Sequence, residues 1–437
     1  MSWSLPALLR MAQRNVRRNW RHSFAAILSI ATGFVAIALF EGYLNNLAAR
    51  HMEEFARRAM YGDVLVQRRG ASSAEARERP FDYLLQAREQ RFLNEYLTAH
   101  ASDVVTRARF LELSGVATTG DVNAMFMGVG YDVREGAQLR GADVRDLVAG
   151  NPLEQASPEA VLLARGLARQ LDCSLPDATG GSGSERPRSF ACPNGRVQLT
   201  ITTETGQLNA AQPEVAGIKA VMLKELDDSL LYLPLQAAQS LLDTSGVSLY
   251  SIALKGGTPA GTFAAQLSAA AAEQGLELEA TPWRAHKHAQ MLNEGLELLG
   301  AFRSFVLVIV IVVAGSSVVV TMVKLVGERI REIGTLRALG FRRRHVLLIF
   351  ALESLLLGLL AIAVGLVATL LLTLGVNLAQ IEYKAGLLAE SIPLSIAYGL
   401  QTYAWASALL LCIVLIAALW PARRAARLGI SNALADA

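Results

Sequence analysis

The stretch FVLVIVIVVAGSSVVVTMV, residues 305–323, contains no charged side chain. A helix needs about 20 apolar residues to cross a bilayer, so this stretch predicts a transmembrane helix. Three further stretches, at 24–44, 346–374 and 397–420, are similarly long and apolar. The whole chain has 437 residues, of which 52% are hydrophobic and 18% charged, and its mean hydropathy is +0.33. This composition excludes a disordered or collagen-like chain and disfavours a purely soluble protein.

Basic residues lie on one side of the four predicted spans. Residues 1–22 hold five arginines and no acidic residue, residues 324–345 hold seven lysines and arginines, and residues 421–437 hold three arginines. By contrast, the connection 376–396 holds a single lysine. Because lysine and arginine favour the cytoplasmic side of a membrane, both termini and the connection after the second span are predicted to be cytoplasmic. The long segment between the first two spans is then extracytoplasmic.

The predicted fold class is an α-helical membrane protein with four transmembrane helices and a large α+β domain inserted between the first and the second. The inserted segment combines helical and strand-like patterns, and we expect it to form two lobes. The predicted segments, in order, are an amphipathic cytoplasmic helix at 1–22, the first span at 23–46, the inserted domain at 47–300, the second span at 301–324, a cytoplasmic helix and loop at 325–345, the third span at 346–375, a short outer loop at 376–396, the fourth span at 397–420 and a cytoplasmic tail at 421–437.

Local patterns give a coarse outline of the inserted domain. Residues 45–62 predict a helix that continues the first span beyond the membrane. Residues 104–132 alternate polar and apolar side chains between glycines, which predicts strands. Residues 158–171 predict a helix. The inserted domain is therefore expected to mix helices and strands along its length.

Two of the three cysteines, Cys173 and Cys192, flank a loop rich in glycine, serine and proline. Both fall in the extracytoplasmic segment, where disulfides can form. A disulfide between them would close the loop at its base and contribute roughly 3 kcal/mol to stability. The alternative is two unrelated buried thiols. We predict the disulfide.

Motifs for catalysis or nucleotide binding are absent from the sequence. It contains no GxxxxGK[ST], HExxH or GxSxG pattern. His286 and His288 form a close pair without further ligands, so they predict a solvated linker and not a metal site. The net charge of +3 is too small to indicate a nucleic-acid partner. The chain is therefore predicted to be neither an enzyme nor a cofactor-binding protein.

The connection after the second span contains GERIREIGTLRALG, residues 327–340. This segment predicts a short helix of about three turns that ends at Gly340. Apolar residues recur at every third position, namely Ile330, Ile333, Leu336 and Leu339. Such a helix suits docking into a groove of a partner protein. It equally suits a helix lying on the inner leaflet of the membrane, and periodicity alone leaves both open.

Two acidic residues fall within or at the edge of the predicted spans. Glu353 lies about two turns, roughly 10 Å, into the third span, and an ionisable residue at that depth is a functional candidate. We predict that it pairs with cytoplasmic arginines and holds the connecting helix rigid. Glu41 lies near the outer edge of the first span. It is predicted either to reach water or to line a lateral opening between two such proteins.

The pattern ERIREIGTLRALG at 328–340 resembles the FtsX-like permease family of ABC transporters. This family includes permeases of the macrolide-exporter type (MacB) and of the lipoprotein-release type (LolC/LolE). The third span supplies further residues of the same pattern, namely Glu353, Ser354, Gly358 and Gly365. Residues 8–22 resemble the family's amphipathic helix before the first span, and residues 421–435 resemble its basic closing motif.

The resemblance implies a type VII ABC arrangement, in which two permease subunits, identical or paralogous, pair through their first two spans within the lipid bilayer. Residues 327–340 would be a coupling helix seated in a cleft of a separate cytoplasmic ABC ATPase dimer. That dimer binds ATP and magnesium, and its closure would move the spans and the periplasmic domain. The implied contacts to the ATPase are Glu328, Arg331, Glu332, Ile333, Leu336 and Arg337.

The resemblance also implies a bacterial inner-membrane protein with a periplasmic domain of MacB type. Residues 281–300 are similar to the stem of lipoprotein-release permeases, so the predicted function is release of lipoprotein or another lipid-anchored cargo. The alternatives are efflux of drugs or peptides through an adaptor and an outer-membrane channel, and regulation of a periplasmic cell-wall hydrolase. Cargo would occupy an apolar cavity between the spans, lined by Val35, Leu39, Glu41, Leu44 and Leu47.

Overall fold

The computed structural model describes residues 5–18, 20–141, 147–175, 189–338, 341–384, 386, 389 and 391–427. The chain divides into two compact units. The helical unit consists of Met1–Ala48, Gly295–Glu382 and Pro393–Ala437, and the α/β unit consists of Ala49–Glu294 and Tyr383–Ile392.

The described residues form helices and strands in the following order. The α-helices are α1 (Leu5–Arg18), α2 (Trp20–Glu53), α3 (Ala74–Glu78), α4 (Ala87–Ala99), α5 (Val133–Arg140), α6 (Arg165–Gln170), α7 (Lys224–Asp227), α8 (Leu235–Leu242), α9 (Ala260–Glu273), α10 (Gln290–Glu328), α11 (Ile330–Ala338), α12 (Arg343–Ala379) and α13 (Leu400–Arg427). The strands are β1 (Val64–Arg68), β2 (Val104–Thr118), β3 (Asn123–Tyr131), β4 (Leu147–Gly150), β5 (Val161–Ala164), β6 (Gln198–Thr202), β7 (Leu208–Ala211), β8 (Val215–Lys219), β9 (Leu230–Pro234), β10 (Leu249–Leu254), β11 (Leu278–Pro282), β12 (Glu382–Tyr383) and β13 (Ile392–Pro393).

Four of the described helices are long and apolar enough to cross a membrane. They are Ser23–Arg58, Asn293–Glu328, Arg343–Ala379 and Leu400–Arg424. The α/β unit lies between the first and the second of them in the sequence. The predicted fold class, a four-span membrane protein with a large inserted domain, is thereby confirmed. As the sequence also predicts, α2 continues past its apolar part, and it passes into a π-helical turn at Glu54–Arg58.

Small residues bring the helices of the helical unit close together. A Cβ atom added to Gly33 of α2 would lie 2.8 Å from a methyl carbon of Val310 of α10. A Cβ atom added to Gly365 of α12 would lie 3.0 Å from Cβ of Phe34 and 3.1 Å from the carbonyl oxygen of Ala31. Membrane helices associate chiefly by such close packing, because lipid is as apolar as their side chains. These two glycines therefore fix where α2 meets its neighbours.

The α/β unit is built on one sheet whose longest strand is β2, with 15 residues. The strand order is β11-β1-β10-β2-β3-β9-β5-β8-β4, and β6 and β7 join the sheet through β2. The pairs β3–β9 and β5–β8 are parallel. β2 pairs with β10 over its first half, with β3 over its second half, and with β6 at Gly115–Thr118. Three parts of the sheet are therefore joined by this strand.

Apolar side chains cover both faces of this sheet. Val64 and Val66 of β1 pack into a core that includes α4, α6, α8 and α9. Leu65, between them, packs into a second core with Phe55 and Trp283. Neighbouring side chains of a strand point to opposite faces, so a strand that is apolar at every position is buried between two layers.

Two expectations for the inserted domain differ from the structure. The helix predicted at 158–171 is wrong over its first half, because Val161–Ala164 forms β5 and only Arg165–Gln170 is helical. The expectation of two lobes also differs from the structure, because the described residues of the inserted domain form one compact unit with a single large sheet. In addition, His286 is not a solvated linker residue, since its side chain is buried and its Nε2 lies 2.9 Å from Oε1 of Gln67.

The structure joins Cys173 and Cys192 by a disulfide. Next to it, Ser174 N donates a hydrogen bond to the carbonyl oxygen of Ala191 at 2.7 Å. The base of the intervening segment is thus held both covalently and by backbone pairing. Residues 176–188 of that segment lie outside the described residues.

The close approach at Gly365 can be tested against a second glycine of the same helix. Gly365→Leu places a side chain where the backbone of α2 already lies, and overpacking of this kind costs about 1–3 kcal/mol. We expect the thermal unfolding midpoint of the full chain in mild detergent to fall by several degrees. Gly375→Leu is the control, because a Cβ atom there meets nothing within 4 Å among the described residues. Equal destabilisation by both variants would contradict the packing argument.

Candidate functional site

The connection between the second and third spans begins with a break in the helix. α10 ends at Glu328 and α11 begins at Ile330. Across the break, Arg329 N donates to the carbonyl oxygen of Val326 at 3.2 Å, and Ile333 N donates to that of Arg329 at 2.9 Å. The helix predicted from residue 327 therefore starts later than expected. Glu328 closes the second span and does not belong to the short helix.

Arg329, at the break, is buried against an acidic residue of the third span. Its Nη1 donates to Oε1 of Glu353 at 3.3 Å, and the two side chains are 4% and 1% exposed. Its Nη2 donates to the carbonyl oxygen of Asn15 in α1 at 3.2 Å. One guanidinium group thus joins the α10–α11 junction to both α12 and α1. Removing one partner of a buried pair strands a charge in an apolar environment.

α11 itself presents one buried and one exposed side. Ile333 is 3% exposed and packs into the apolar core of the helical unit together with Val16 and Val346. In this chain alone the side chain points inward, so it is not presented to a partner here, and its role as a contact to the ATPase stays a prediction. Among the residues of α11 whose side chains the structure describes, Glu332, Thr335 and Ala338 are exposed.

A second ion pair links α11 to α1 at the surface. Arg18 and Glu332 form it, with side chains that are 52% and 50% exposed. Exposed pairs contribute between zero and about 1 kcal/mol. Glu332 is therefore reachable for a partner protein, and the pair can exchange at little cost. The pair at Glu353, by contrast, is a fixed structural contact.

Several predicted residues lie partly or wholly outside the described part of the chain. Gly340 is one of them. The side chains of Arg331, Leu336 and Arg337 are others, although their backbones belong to α11. Their contacts to an ATPase stay predictions.

The five residues predicted to line a cargo cavity do not share one face of α2. At about 100° per residue, Leu39 lies about 40° around the helix from Val35, whereas Leu47 and Glu41 lie about 120° and 240° around. Glu41 faces α10, where its Oε1 lies 3.7 Å from Nη1 of Arg303. A single cavity on one side of α2 would take only part of this set, and Glu41 is engaged in an ion pair.

These features define a membrane protein with a large domain between its first two spans and a short, anchored helix between its second and third. Residues 304–430 match the family model described as "FtsX-like permease C-terminal". The match covers most of the second span, α11 and the last two spans, so this part of the chain is similar to FtsX-like permeases. A comparison with curated proteins returns no significant match.

Two solved structures are similar to parts of this chain at low sequence identity. The periplasmic region of MacB from Actinobacillus actinomycetemcomitans is 11% identical and matches with a TM-score of 0.34, covering 54% of this chain and 94% of that structure. The extracellular domain of the noncanonic ABC-type transporter YknZ from Gram-positive bacteria is 14% identical, with a TM-score of 0.30, covering 50% of this chain and 98% of that structure. TM-scores of this size describe a loose likeness, and no property of these proteins is carried over from it.

Arg329 is the residue at this site that the sequence left unidentified. Glu353 stands in an apolar span and needs a cation, which is why a pairing with cytoplasmic arginines could be predicted. The connection 324–345, however, holds seven basic residues. Only the position of the helix break selects Arg329 among them. Gly327 precedes the break by two residues, but the apolar pattern continues through it and gives no sign that the helix stops at Glu328.

The buried pair predicts a non-additive set of stability changes. Arg329→Met and Glu353→Gln should each destabilise the full chain, by about 3–5 kcal/mol where a buried charge is left alone. The double variant should be more stable than either single variant, because no charge remains buried. Thermal unfolding in mild detergent measures all three.

The exposed pair supplies the control for this experiment. Arg18→Ala removes its basic partner and should change the unfolding midpoint little, because the pair is solvated. If the loss of stability in the double variant equals the sum of the losses in the two single variants, Arg329 and Glu353 do not act as a pair.

Proposed function

We propose that this chain is the permease subunit of an ABC transporter of type VII, and that α11 docks onto a separate cytoplasmic ABC ATPase. The observation that carries the proposal is α11 within an FtsX-like permease domain. Its base is fixed by the Arg329–Glu353 pair, and its outer side is open to a partner. At about 1.5 Å per residue, the helix is about 13 Å long, a length that fits a cleft in a protein surface.

ATP hydrolysis by the partner would act on the α/β unit through the long helices. α2 has 34 residues and α10 has 39, whereas about 20 suffice to cross a bilayer. The chain passes from α2 into the α/β unit and returns through α10. Both helices continue without a loop past the length of a span. Movement of the spans would therefore reach the α/β unit through stiff connections, which is mechanotransmission in place of passage through a pore.

The same proposal includes an orientation in a bacterial inner membrane. Basic residues cluster at the N-terminus, around α11 and at the end of α13, the distribution that favours the cytoplasmic side. The α/β unit would then lie in the periplasm. The disulfide between Cys173 and Cys192 supports this orientation, because disulfides persist in oxidising compartments.

We further propose that a second permease subunit packs on α10. The exposed apolar residues of this helix include Leu298, Phe302, Phe305, Ile309 and Val312. Their spacing alternates between four and three, the pattern of a seam between two helices. Val310 and Ala314 point the other way, into the subunit's own core. The seam therefore lies opposite the packed side.

For the cargo we propose a lipoprotein or another lipid-anchored molecule. The support is the similarity of residues 281–300 to the stem of lipoprotein-release permeases. Lipid or lipoprotein carried through purification with the full chain, read by mass spectrometry, would favour this cargo. A drug or peptide together with an adaptor would favour efflux, and a captured cell-wall hydrolase would favour a regulatory role.

The docking proposal predicts that α11 can be disabled without unfolding the chain. Thr335→Arg plus Ala338→Asp changes two exposed residues of α11, and exposed substitutions usually alter stability by less than about 0.5 kcal/mol. We expect the amount of ATPase that co-purifies with this variant to be at least tenfold lower than the amount that co-purifies with wild type. ATP hydrolysis in the complex should fall in parallel.

Gln13→Asp, on the exposed side of α1, is the matched control and should retain the ATPase. Unfolding midpoints of all variants must agree with wild type for the comparison to hold. An ATPase that binds the α11 variant as well as wild type would contradict the proposal.

The seam on α10 predicts a protein neighbour at Ile309. A photoreactive phenylalanine analogue at Ile309 should cross-link the chain to a second permease, and mass spectrometry will tell whether that is the same chain or a paralogue. The analogue at Leu371, which is 64% exposed on α12, should yield lipid adducts. Lipid adducts alone at both positions would show that the α10 seam faces the bilayer.

A further inference from the structure

The α/β unit contains a cavity of about 950 Å³. Its size falls within the range of about 300–1,000 Å³ that is typical of small-molecule sites. All of its lining residues lie between Phe55 and Lys287. The cavity therefore belongs to the α/β unit alone, and nothing in the proposed coupling to an ATPase uses it.

An uncovered apolar stripe of the sheet leads into this cavity. On β2 and β3, the facing residues Phe110 and Tyr131 are 2% and 1% exposed. Two pairs further along the same face, Met127 stands opposite Ser114 and is 43% exposed. Val116 lines the cavity beside it and is 37% exposed. Side chains two residues apart share a face, so Tyr131, Val129 and Met127 of β3 form an apolar stripe that passes from the packed core to an open end. On the same face, Glu112 and Ser114 of β2 lie beside this stripe.

The other lining residues carry an excess of positive charge. Four of them are lysine or arginine, and one is acidic, namely Arg58, Arg77, Lys219 and Lys287 against Glu112. Lys219 is 3% exposed. A buried ammonium group is costly unless it has favourable contacts. Such an excess of cations at an apolar cavity favours an anionic group on whatever fills it.

The contacts of Lys219 place its charge beside aromatic and backbone groups. Its Nζ lies 4.1 Å from the ring centroid of Tyr232 and donates to the carbonyl oxygen of Arg58 at 3.2 Å. Burial raises the pKa of the Tyr61 hydroxyl, and Glu112 and Tyr232 raise it further. Tyr61 thus stays a neutral hydroxyl at physiological pH, able to donate a hydrogen bond. Cation and hydroxyl donors are what a carboxylate or phosphate oxygen requires.

We propose that this cavity binds an amphipathic anion with a single apolar chain, whose headgroup is a carboxylate or a phosphate. The chain would lie along the stripe at Met127 and Val116, and the headgroup would meet Arg58, Lys219 and Lys287. A neutral apolar molecule would not match the excess of positive charge in the lining. A small anion without a chain would leave the apolar stripe in water. Only a molecule with both an apolar chain and an anionic headgroup matches both the apolar and the basic residues of the lining.

The test uses the full chain in nanodiscs of phosphatidylcholine, with a diazirine-bearing palmitate as the photoreactive probe. Cross-linked peptides are identified by mass spectrometry. We expect saturable labelling of β2, β3 or β9. Unlabelled palmitate and hexadecyl phosphate are the competitors, and hexadecanol, which has the same chain without charge, should compete at least tenfold more weakly. A tenfold preference between the two anions identifies the headgroup as carboxylate or phosphate.

Two pairs of variants separate binding from folding. Met127→Trp fills the mouth of the cavity and should reduce labelling at least fivefold. Val105→Trp, at an exposed apolar residue of β2 outside the lining, should not. Lys287→Glu should weaken labelling, whereas Lys255→Glu, an exposed lysine away from the cavity, should leave it unchanged.

The proposal is overturned if labelling is confined to the spans, if hexadecanol competes as well as palmitate, or if the Val105 and Met127 variants are labelled equally. None of these results depends on an ATPase. Failure of the cavity proposal and failure of the coupling proposal are therefore distinguishable.

Discussion

The ion pair between Arg329 and Glu353 is the contact on which the helical unit depends. An ionised side chain is stable in an apolar environment only when its partner is held in place. Arg329 meets Glu353 on α12 and a carbonyl oxygen on α1 at the same time. Three helices must therefore keep their relative positions for these contacts of Arg329 to be kept. The break after α10 is therefore held in place by contacts to α12 and α1.

The contrast with Arg18 and Glu332 shows why the two ion pairs have different roles. Arg329 lies at the break directly before α11 and Glu332 lies within α11, but the pair at Arg329 is buried and the pair at Glu332 is solvated. Water can replace either partner of the exposed pair, so that contact adjusts when another protein approaches. The buried pair offers no such exchange. In the proposed complex, a load on the outer side of α11 would therefore be transferred to α12 and α1 through the contacts of Arg329.

The sequence predicts those parts of the architecture for which its pattern permits a single type of structure. A long apolar run has no alternative to a membrane helix, so the four spans and the inserted domain follow from composition. The sequence predicts a helix at β5 because all four residues of Val161–Ala164 are buried. A short strand in which polar and apolar residues do not alternate has the same sequence pattern as a segment of a buried helix. The sequence also does not predict which side of α11 faces the core of the chain. Ile333 and Leu336 belong to one apolar pattern, and the pattern alone does not tell a core contact from a partner contact.

The two ends of the α/β unit contribute to the same cavity. Phe55 and Arg58 belong to the turn that directly follows α2, and Lys287 lies three residues before α10 begins. Phe55 stacks on Trp283, with ring centroids 5.9 Å apart and planes 8° from parallel. The segments that join the α/β unit to the first two spans are therefore in contact with each other and form one wall of the cavity. Any change in the distance between these segments has to alter that wall, because an aromatic stack tolerates little separation. A ligand that prefers one spacing would then favour one arrangement of the segments, and by linkage each arrangement would set the affinity for the ligand.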